Sequence, residues 1–148
     1  MSEEIQAAPQ GGEVEIVEGF RKELHPLPTK KIAVLGTCPS RVYAPVGDPS
    51  WDIITIGPGG KNSNRWDTLI EIHTDGWPAD FRVYLEELKA EKPPKRIFTL
   101  EPMPDWPANV VFPKEELYAK YGKMWFSSSI AYALAIALEE KATDIGVW

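Results

Sequence analysis

An unbroken apolar run from Ile32 to Leu35 constrains the fold of this chain more than any other feature of its sequence. Two lysines precede the run, and Gly36 ends it. Consecutive apolar residues between a charged start and a glycine are typical of a strand that is buried on both faces. Such strands occur mainly in parallel sheets with helices on either side, so the run predicts an α/β protein.

Further segments favour strands and helices in alternation along the rest of the chain. Additional strands are predicted at residues 51–56, 66–73, 96–100, 110–112 and 144–148. Helices are predicted at residues 79–91, 114–121 and 129–140. We therefore expect a Rossmann-like, three-layer α/β fold with a mostly parallel central sheet. In this fold the strand at 31–35 should be central, with the last helix packed against it.

The predicted elements divide the 148 residues into a tail and one domain. Residues 1–29 contain acidic residues, prolines and one alternating stretch at 14–17, which indicates a mobile tail or an edge strand. Residues 30–148 contain the predicted Rossmann-like domain. Because the last predicted strand coincides with the end of the sequence, we expect this domain to be shortened at its C-terminus.

Charge and composition limit the partners and the location of the protein. A formal net charge of -6 disfavours broad electrostatic binding to nucleic acid or to an anionic membrane. No apolar run approaches the ~20 residues that span a bilayer, and the acidic N-terminus lacks the order of a signal peptide. The single cysteine, Cys38, suits a reducing compartment, so we expect a cytoplasmic protein.

Small, hydroxyl-bearing and charged residues follow the predicted strands, where ligands bind in open parallel sheets. The first strand leads into a Gly-x-x-Pro-Ser turn and the second into a glycine-rich segment, and backbone amides in such turns can surround a phosphate. A serine triplet precedes the last helix. We predict acid or base roles for His73 and Glu101, and ligand-binding roles for Gly36, Thr37, Pro39, Ser40, Gly57, Lys61, Ser127 and Ser128.

The spacing of these residues disagrees with two standard phosphate-binding motifs. A dinucleotide fingerprint requires Gly-x-Gly-x-x-Gly, and the first turn contains only Gly36. A P-loop requires Gly-Lys followed by Ser or Thr, and here Gly60-Lys61 precedes Asn62. Two histidines without His-x-x-x-His or Cys-x-x-Cys spacing predict no metal site. The pattern specifies neither a cofactor nor an oligomeric state.

Structural roles compete with the functional ones at several of these positions. Gly36 can serve only a tight turn, while Ser40 and the serine triplet can cap helices. Cys38 is either an activated thiol near a helix start or a small packed residue. Lys61 and Arg65 either contact an anion or are solvated charges.

Several motifs together resemble a group of uncharacterised Rossmann-like proteins encoded by tailed bacteriophages. They are KIAVLGTCPS at 31–40, Ala-Pro at 44–45, Asp-Pro-Ser-Trp at 48–51, Trp-Asp at 66–67, Glu-Ile-His at 71–73, Phe-Ser-Ser-Ser-Ile-Ala-Tyr at 126–132 and Ile-Gly-Val-Trp at 145–148. The likeness covers about residues 30–148 and implies a Rossmann-like fold in the host cytoplasm. Gly36, Pro39 and Ser40 are also similar to the nucleotide-contacting turn of the sialyltransferase-like and 6-hydroxymethylpterin diphosphokinase-like families, which implies a nucleotide ligand.

The leading hypothesis is a phage-type Rossmann-like domain that binds a nucleotide or another phosphate-bearing small molecule. One alternative is a nucleotide-dependent transferase or hydrolase in which His73 or Glu101 acts as the base. A second is a non-enzymatic interaction domain that docks a partner through an exposed loop at Trp106 and Pro107. Trp77 and Trp106 are also candidates for stacking on a base.

Overall fold

The computed structural model describes residues 29–73, 79–89 and 95–148. These residues form six strands, which are β1 Lys31–Leu35, β2 Trp51–Ile56, β3 Thr68–Glu71, β4 Arg96–Thr99, β5 Asn109–Val111 and β6 Asp144–Val147. They also form three α-helices, which are α1 Ala79–Lys89, α2 Lys114–Tyr121 and α3 Ser129–Glu139. Short 3₁₀ helices lie at Pro39–Tyr43, Gly57–Asn62 and Lys123–Trp125.

The strands of the described residues pair in parallel in one sheet, in the order β5-β4-β3-β2-β1-β6. This order confirms an α/β fold with a parallel sheet. β1 pairs with β2 on one side and with β6 on the other, so it is buried within the sheet, as its apolar run requires. It is not the central strand that we expected, because the chain adds β2 to β5 on one side and β6 alone on the other.

Alternation along the strands sends successive side chains to opposite faces of the sheet. On one face, Ile32 and Val34 of β1 pack with side chains of α2 and α3. On the other face, Ala33 and Leu35 pack with side chains of α1 and of the segments between β1, β2 and β3. Helices therefore cover both faces, which confirms the three-layer architecture.

Trp66 shows why the third strand is shorter than its apolar pattern predicts. We expected the strand to begin at this residue, but β3 begins at Thr68. The Trp66 indole Nε1 instead donates to the hydroxyl of Tyr84, on α1, at 2.7 Å. Trp66 is buried and packs between α1 and the sheet. It is therefore a core residue that precedes the strand and does not pair within it.

Trp106 is buried, contrary to the prediction of an exposed docking loop. Its side chain is only 3% exposed, and its indole Nε1 donates to the carbonyl oxygen of Lys95 at 2.9 Å. The proline-containing loop after β4 folds back, so the indole covers the start of that strand. The prediction that Trp106 and Pro107 present an exposed aromatic group to a partner is therefore wrong.

The other described elements agree with their predicted bounds to within one or two residues at each end. Some predictions lie outside the described residues: the mobile tail or edge strand before residue 29, with its alternating stretch at 14–17, the stacking role of Trp77, and the end of the first helix at 90–91. In the described ranges, no helix has the length and apolar composition needed to cross a lipid bilayer.

Candidate functional site

The candidate site lies at the carboxyl edge of the sheet, where β1, β2 and β3 end beside one another. Because the strands are parallel, their carboxyl ends all reach the same edge. Gly36 follows β1, Gly57 follows β2, and His73 comes two residues after β3. The fold thus brings predicted site residues from three separate segments to one edge.

Gly36 has a structural role at the rim of this site. Its backbone N–H donates to the carbonyl oxygen of Trp148 at 2.7 Å. A Cβ at this position would lie 3.3 Å from the same oxygen and 3.6 Å from Cδ1 of Ile130. The N–H is committed to the sheet and the absent side chain allows close packing, so this amide is not directed at a ligand.

The turn after Gly36 is open to solvent. Thr37, Pro39 and Ser40 are exposed, and Pro39 begins the 3₁₀ helix that leads towards β2. Cys38 occupies the N-cap of that helix without a side-chain capping hydrogen bond, and it is exposed, which contradicts the interpretation of this thiol as a packed residue. The hydroxyl groups of Thr37 and Ser40 are therefore accessible to a ligand at the edge.

The glycine-rich segment after β2 forms a 3₁₀ helix that lies directly on the sheet. Gly57 has a φ of +45°, a conformation that favours glycine. A Cβ at Gly59 would lie 2.9 Å from Oγ1 of Thr55 and 3.4 Å from the carbonyl oxygen of Gly36. Only a glycine permits this approach, so the segment closes tightly over the ends of β1 and β2.

Thr55 carries a buried hydroxyl beneath this segment. The residue is fully buried, and its Oγ1 has no hydrogen-bond partner among the described residues. An unpaired buried hydroxyl costs about 1–3 kcal/mol. Thr99, which ends β4, instead donates to the carbonyl oxygen of Glu101 at 2.6 Å and accepts from Nδ2 of Asn109 at 2.8 Å. The Thr55 hydroxyl near the end of β2 therefore makes no hydrogen bond within the described residues.

A buried carboxylate and an exposed imidazole are paired at the end of β3. The side chain of Glu71 is 3% exposed, whereas that of His73 is 65% exposed. Glu71 Oε1 lies 2.6 Å from His73 Nδ1 and accepts from the backbone N–H of His73 at 2.9 Å. A carboxylate at Nδ1 fixes the orientation of the imidazole ring.

Glu71 has no assigned role in the sequence prediction, although strand periodicity points to it. Residues two apart in a strand project to the same face, and Glu71 stands two positions before His73. The close position of Gly57, whose Cβ would lie 3.8 Å from Oε2 of Glu71, was not visible in the sequence. That contact depends on the pairing of β2 with β3.

The remaining predicted residues lie on the segments that follow β2 and β4 and on the segment that precedes α3. Lys61 is exposed near the end of the 3₁₀ helix after β2, and Glu101 is exposed beyond β4. Ser127 and Ser128 are exposed before α3, on the β1 side, where Ile130 approaches Gly36. Ser128 is the N-cap of α3 but makes no side-chain capping hydrogen bond.

The polar side chains exposed at this edge include an imidazole and hydroxyls, and they suit a polar small molecule. Within the described ranges, no group of three or more His, Cys, Asp and Glu side chains is arranged to hold a metal ion. No protein-family model, curated protein or solved structure matches the chain.

Proposed function

We propose that this protein binds a phosphate-bearing small molecule of the nucleotide class at the carboxyl edge of β1, β2 and β3. The observation that supports this function best is the Glu71–His73 pair, in which a buried carboxylate orients an exposed imidazole beside a glycine-rich segment. Ligands of open parallel sheets bind beyond this edge.

Each part of the site has a separate task in this proposal. His73 is the exposed member of its pair, so the ligand meets the imidazole before the carboxylate. The glycine-rich segment presents backbone close to the ligand without side chains in the way. The exposed hydroxyls of Thr37 and Ser40 add neutral donors on the β1 side.

A thermal-shift screen tests this function directly. The probes are nucleotides, nucleotide sugars, pterins and cyclic nucleotides. A ligand present at 100 times its dissociation constant stabilises the folded protein by ~2.7 kcal/mol. We expect at least one class of phosphate-bearing probe to raise the melting temperature of wild type. The absence of a shift with every class would overturn the proposal.

Variants of His73 locate the binding site. We expect His73→Ala to reduce the shift given by the best probe, because the substitution removes the exposed imidazole. Met124→Ala is the control, because Met124 is 81% exposed and belongs to the 3₁₀ helix between α2 and α3. Equal losses in the two variants, or none in either, would show that the ligand binds elsewhere.

The Glu71–His73 hydrogen bond also favours a second function, catalysis of transfer or hydrolysis with His73 as acid or base. An imidazole oriented by a carboxylate contributes typically 10²–10⁴-fold to a rate. We expect His73→Ala to abolish turnover of a bound nucleotide while the protein stays folded. Glu101→Gln tests the other predicted base. If His73→Ala binds the nucleotide and turns it over as fast as wild type, His73 is not the acid or base.

A further inference from the structure

A small cavity with apolar walls and a few polar side chains lies between the segments that follow β1 and β2. Its volume is about 220 Å³, and it is lined by Leu35, Arg41, Val42, Val46, Ser63 and Asn64. At ~30 Å³ per molecule, this space equals about seven waters. Pockets that enclose whole ligands occupy roughly 300–1,000 Å³, so this one suits a single chemical group.

Arg41 is the only lining residue with a positive charge, and its guanidinium has no hydrogen bond or ion pair within the described part of the chain. Two other arginines of the described ranges, Arg65 and Arg96, have partners within the protein. Arg65 donates to the carbonyl oxygens of Asp48 and Trp51 at 3.0 and 2.8 Å. Arg96 forms an ion pair with Glu140 at 2.6 Å. Arg41 therefore has donors that the protein does not use.

The amide of Asn64 provides further donors in the cavity. Ser63 lines the cavity, but its hydroxyl hydrogen is not available to a ligand, because it is donated to the carbonyl oxygen of Arg65 at 2.6 Å. A guanidinium and an amide together match the oxygen atoms of a phosphate, which has no proton to donate when ionised.

The cavity lies at a defined separation from the Glu71–His73 pair. Leu35, on the cavity wall, pairs with Thr55 of β2, and β2 pairs with β3, which carries Glu71. Leu35 is level with Leu69 across Thr55, and Glu71 stands two residues further along β3. Two strand spacings of about 4.8 Å and a rise of roughly 6.6 Å give about 12 Å between the backbones of Leu35 and Glu71. A nucleoside monophosphate or a sugar phosphate spans a distance of this order.

We propose that Arg41 and Asn64 bind the phosphate group of the ligand, while its hydroxyl- or amine-bearing end contacts His73. This inference rests on the proposed function and names the ligand class within it. The Glu71 carboxylate, buried and paired with His73, disfavours a second negative charge at that end of the site. The two ends of the site thus select opposite ends of one molecule.

Inorganic phosphate tests the Arg41 cavity by itself. The measurement is a titration at millimolar concentration, followed by the NMR signals of the arginine Nε–H groups. We expect the Arg41 signal to shift, Arg41→Gln to weaken phosphate binding at least tenfold, and Arg41→Lys to restore part of it. Lys123→Gln is the control, because it removes one exposed positive charge on the 3₁₀ helix before α3. Equal phosphate affinity in wild type and Arg41→Gln, or no shift of the Arg41 signal, would overturn the inference.

AMP, GMP, CMP and UMP, with their parent nucleosides, test the two-ended ligand. We expect a monophosphate to bind at least tenfold more tightly than its nucleoside, and Arg41→Gln to remove that advantage. If a monophosphate is weakened by His73→Ala but not by Arg41→Gln, the proposed function stands and the Arg41 inference fails. If inorganic phosphate binds at Arg41 but no monophosphate binds, the two-ended ligand fails, and the thermal-shift screen decides the proposed function separately.

Discussion

The charged side chains at the two edges of the sheet differ in how many partners they have within the protein. At the amino edge, Glu140 accepts from Lys30 through one carboxylate oxygen and from Arg96 through the other, both at 2.6 Å. Arg96 also donates to the hydroxyl of Thr68, which begins β3. At the carboxyl edge, the Arg41 guanidinium has no comparable partner in the described ranges.

This difference bears on which groups stabilise the fold. The charges at the amino edge join the end of α3 to the starts of the strands. At the carboxyl edge, Thr55 is buried without a partner among the described residues, whereas the buried carboxylate of Glu71 is paired with His73. A protein gains no stability from an unpaired buried hydroxyl, so Thr55 is a position where a substitution can test the structure.

The largest effect is expected where the glycine-rich segment meets Thr55. Gly59→Ala places a Cβ 2.9 Å from Thr55 Oγ1, and we expect the free energy of unfolding to fall by about 1–3 kcal/mol. Urea denaturation measures this change. Gly47→Ala is the control, because a Cβ at Gly47 has nothing within 4 Å.

The double variant Thr55→Ala/Gly59→Ala sharpens this test. Removal of the Thr55 hydroxyl and methyl should relieve the clash, so the two substitutions together should destabilise less than the sum of their separate effects. Strict additivity, or equal effects of the alanines at positions 59 and 47, would show that the segment does not lie tightly on β2.

The two buried threonines should respond to valine with opposite signs. Thr55→Val removes an unpaired hydroxyl and should raise the free energy of unfolding by about 1 kcal/mol. Thr99→Val breaks two hydrogen bonds and should lower it by about 1–2 kcal/mol. Thermal denaturation of both variants measures the difference. A loss of stability in Thr55→Val would mean that its hydroxyl is paired in solution.

Arg96→Met tests whether the charged groups at the amino edge stabilise the fold without taking part in ligand binding. The substitution removes an ion pair with Glu140 and hydrogen bonds to Thr68, and we expect a loss of about 1 kcal/mol because the Arg96 side chain is 39% exposed. Chemical denaturation measures this loss, and the thermal shift given by a phosphate-bearing probe should not change. A reduced ligand shift in folded Arg96→Met would show that the two edges are not functionally separate.

The smallest effect is expected at Glu139, on the exterior of the amino edge. Hydrogen bonds from Lys120 and then from Tyr121 hold the pKa of Glu139 below its ordinary value of 4.5. A lowered pKa means that the stabilisation is present above pH 4.5 and is lost as the pH falls through the lowered value. Glu139→Gln should therefore flatten the acid side of the stability profile slightly, and Lys120→Met should have the same effect. A steeper acid limb in either variant would contradict this assignment.

The fold was more predictable than the site, for a physical reason that particular residues show. The apolar run at β1 identifies a buried strand because its signal is local. Trp106 appeared exposed because its neighbours are prolines and polar residues, but its environment depends on Lys95, on the far side of β4. The alternation of side chains along a strand is enough to predict that Glu71 lies beside His73. The contact between Gly59 and Thr55 could not be predicted from the sequence.

The sequence by itself determined the types of the elements, the alternation of faces along the strands and the residues that follow each strand. Those properties depend on neighbours in the chain and on the periods of helices and strands. Only the tertiary structure decided which polar groups find partners. The partners come from distant segments, as when Glu140, which follows the last helix, forms ion pairs with Lys30 and Arg96. Burial and pairing are set by packing in three dimensions, so the unused donors of Arg41 and Thr55 became visible only once the sheet was assembled.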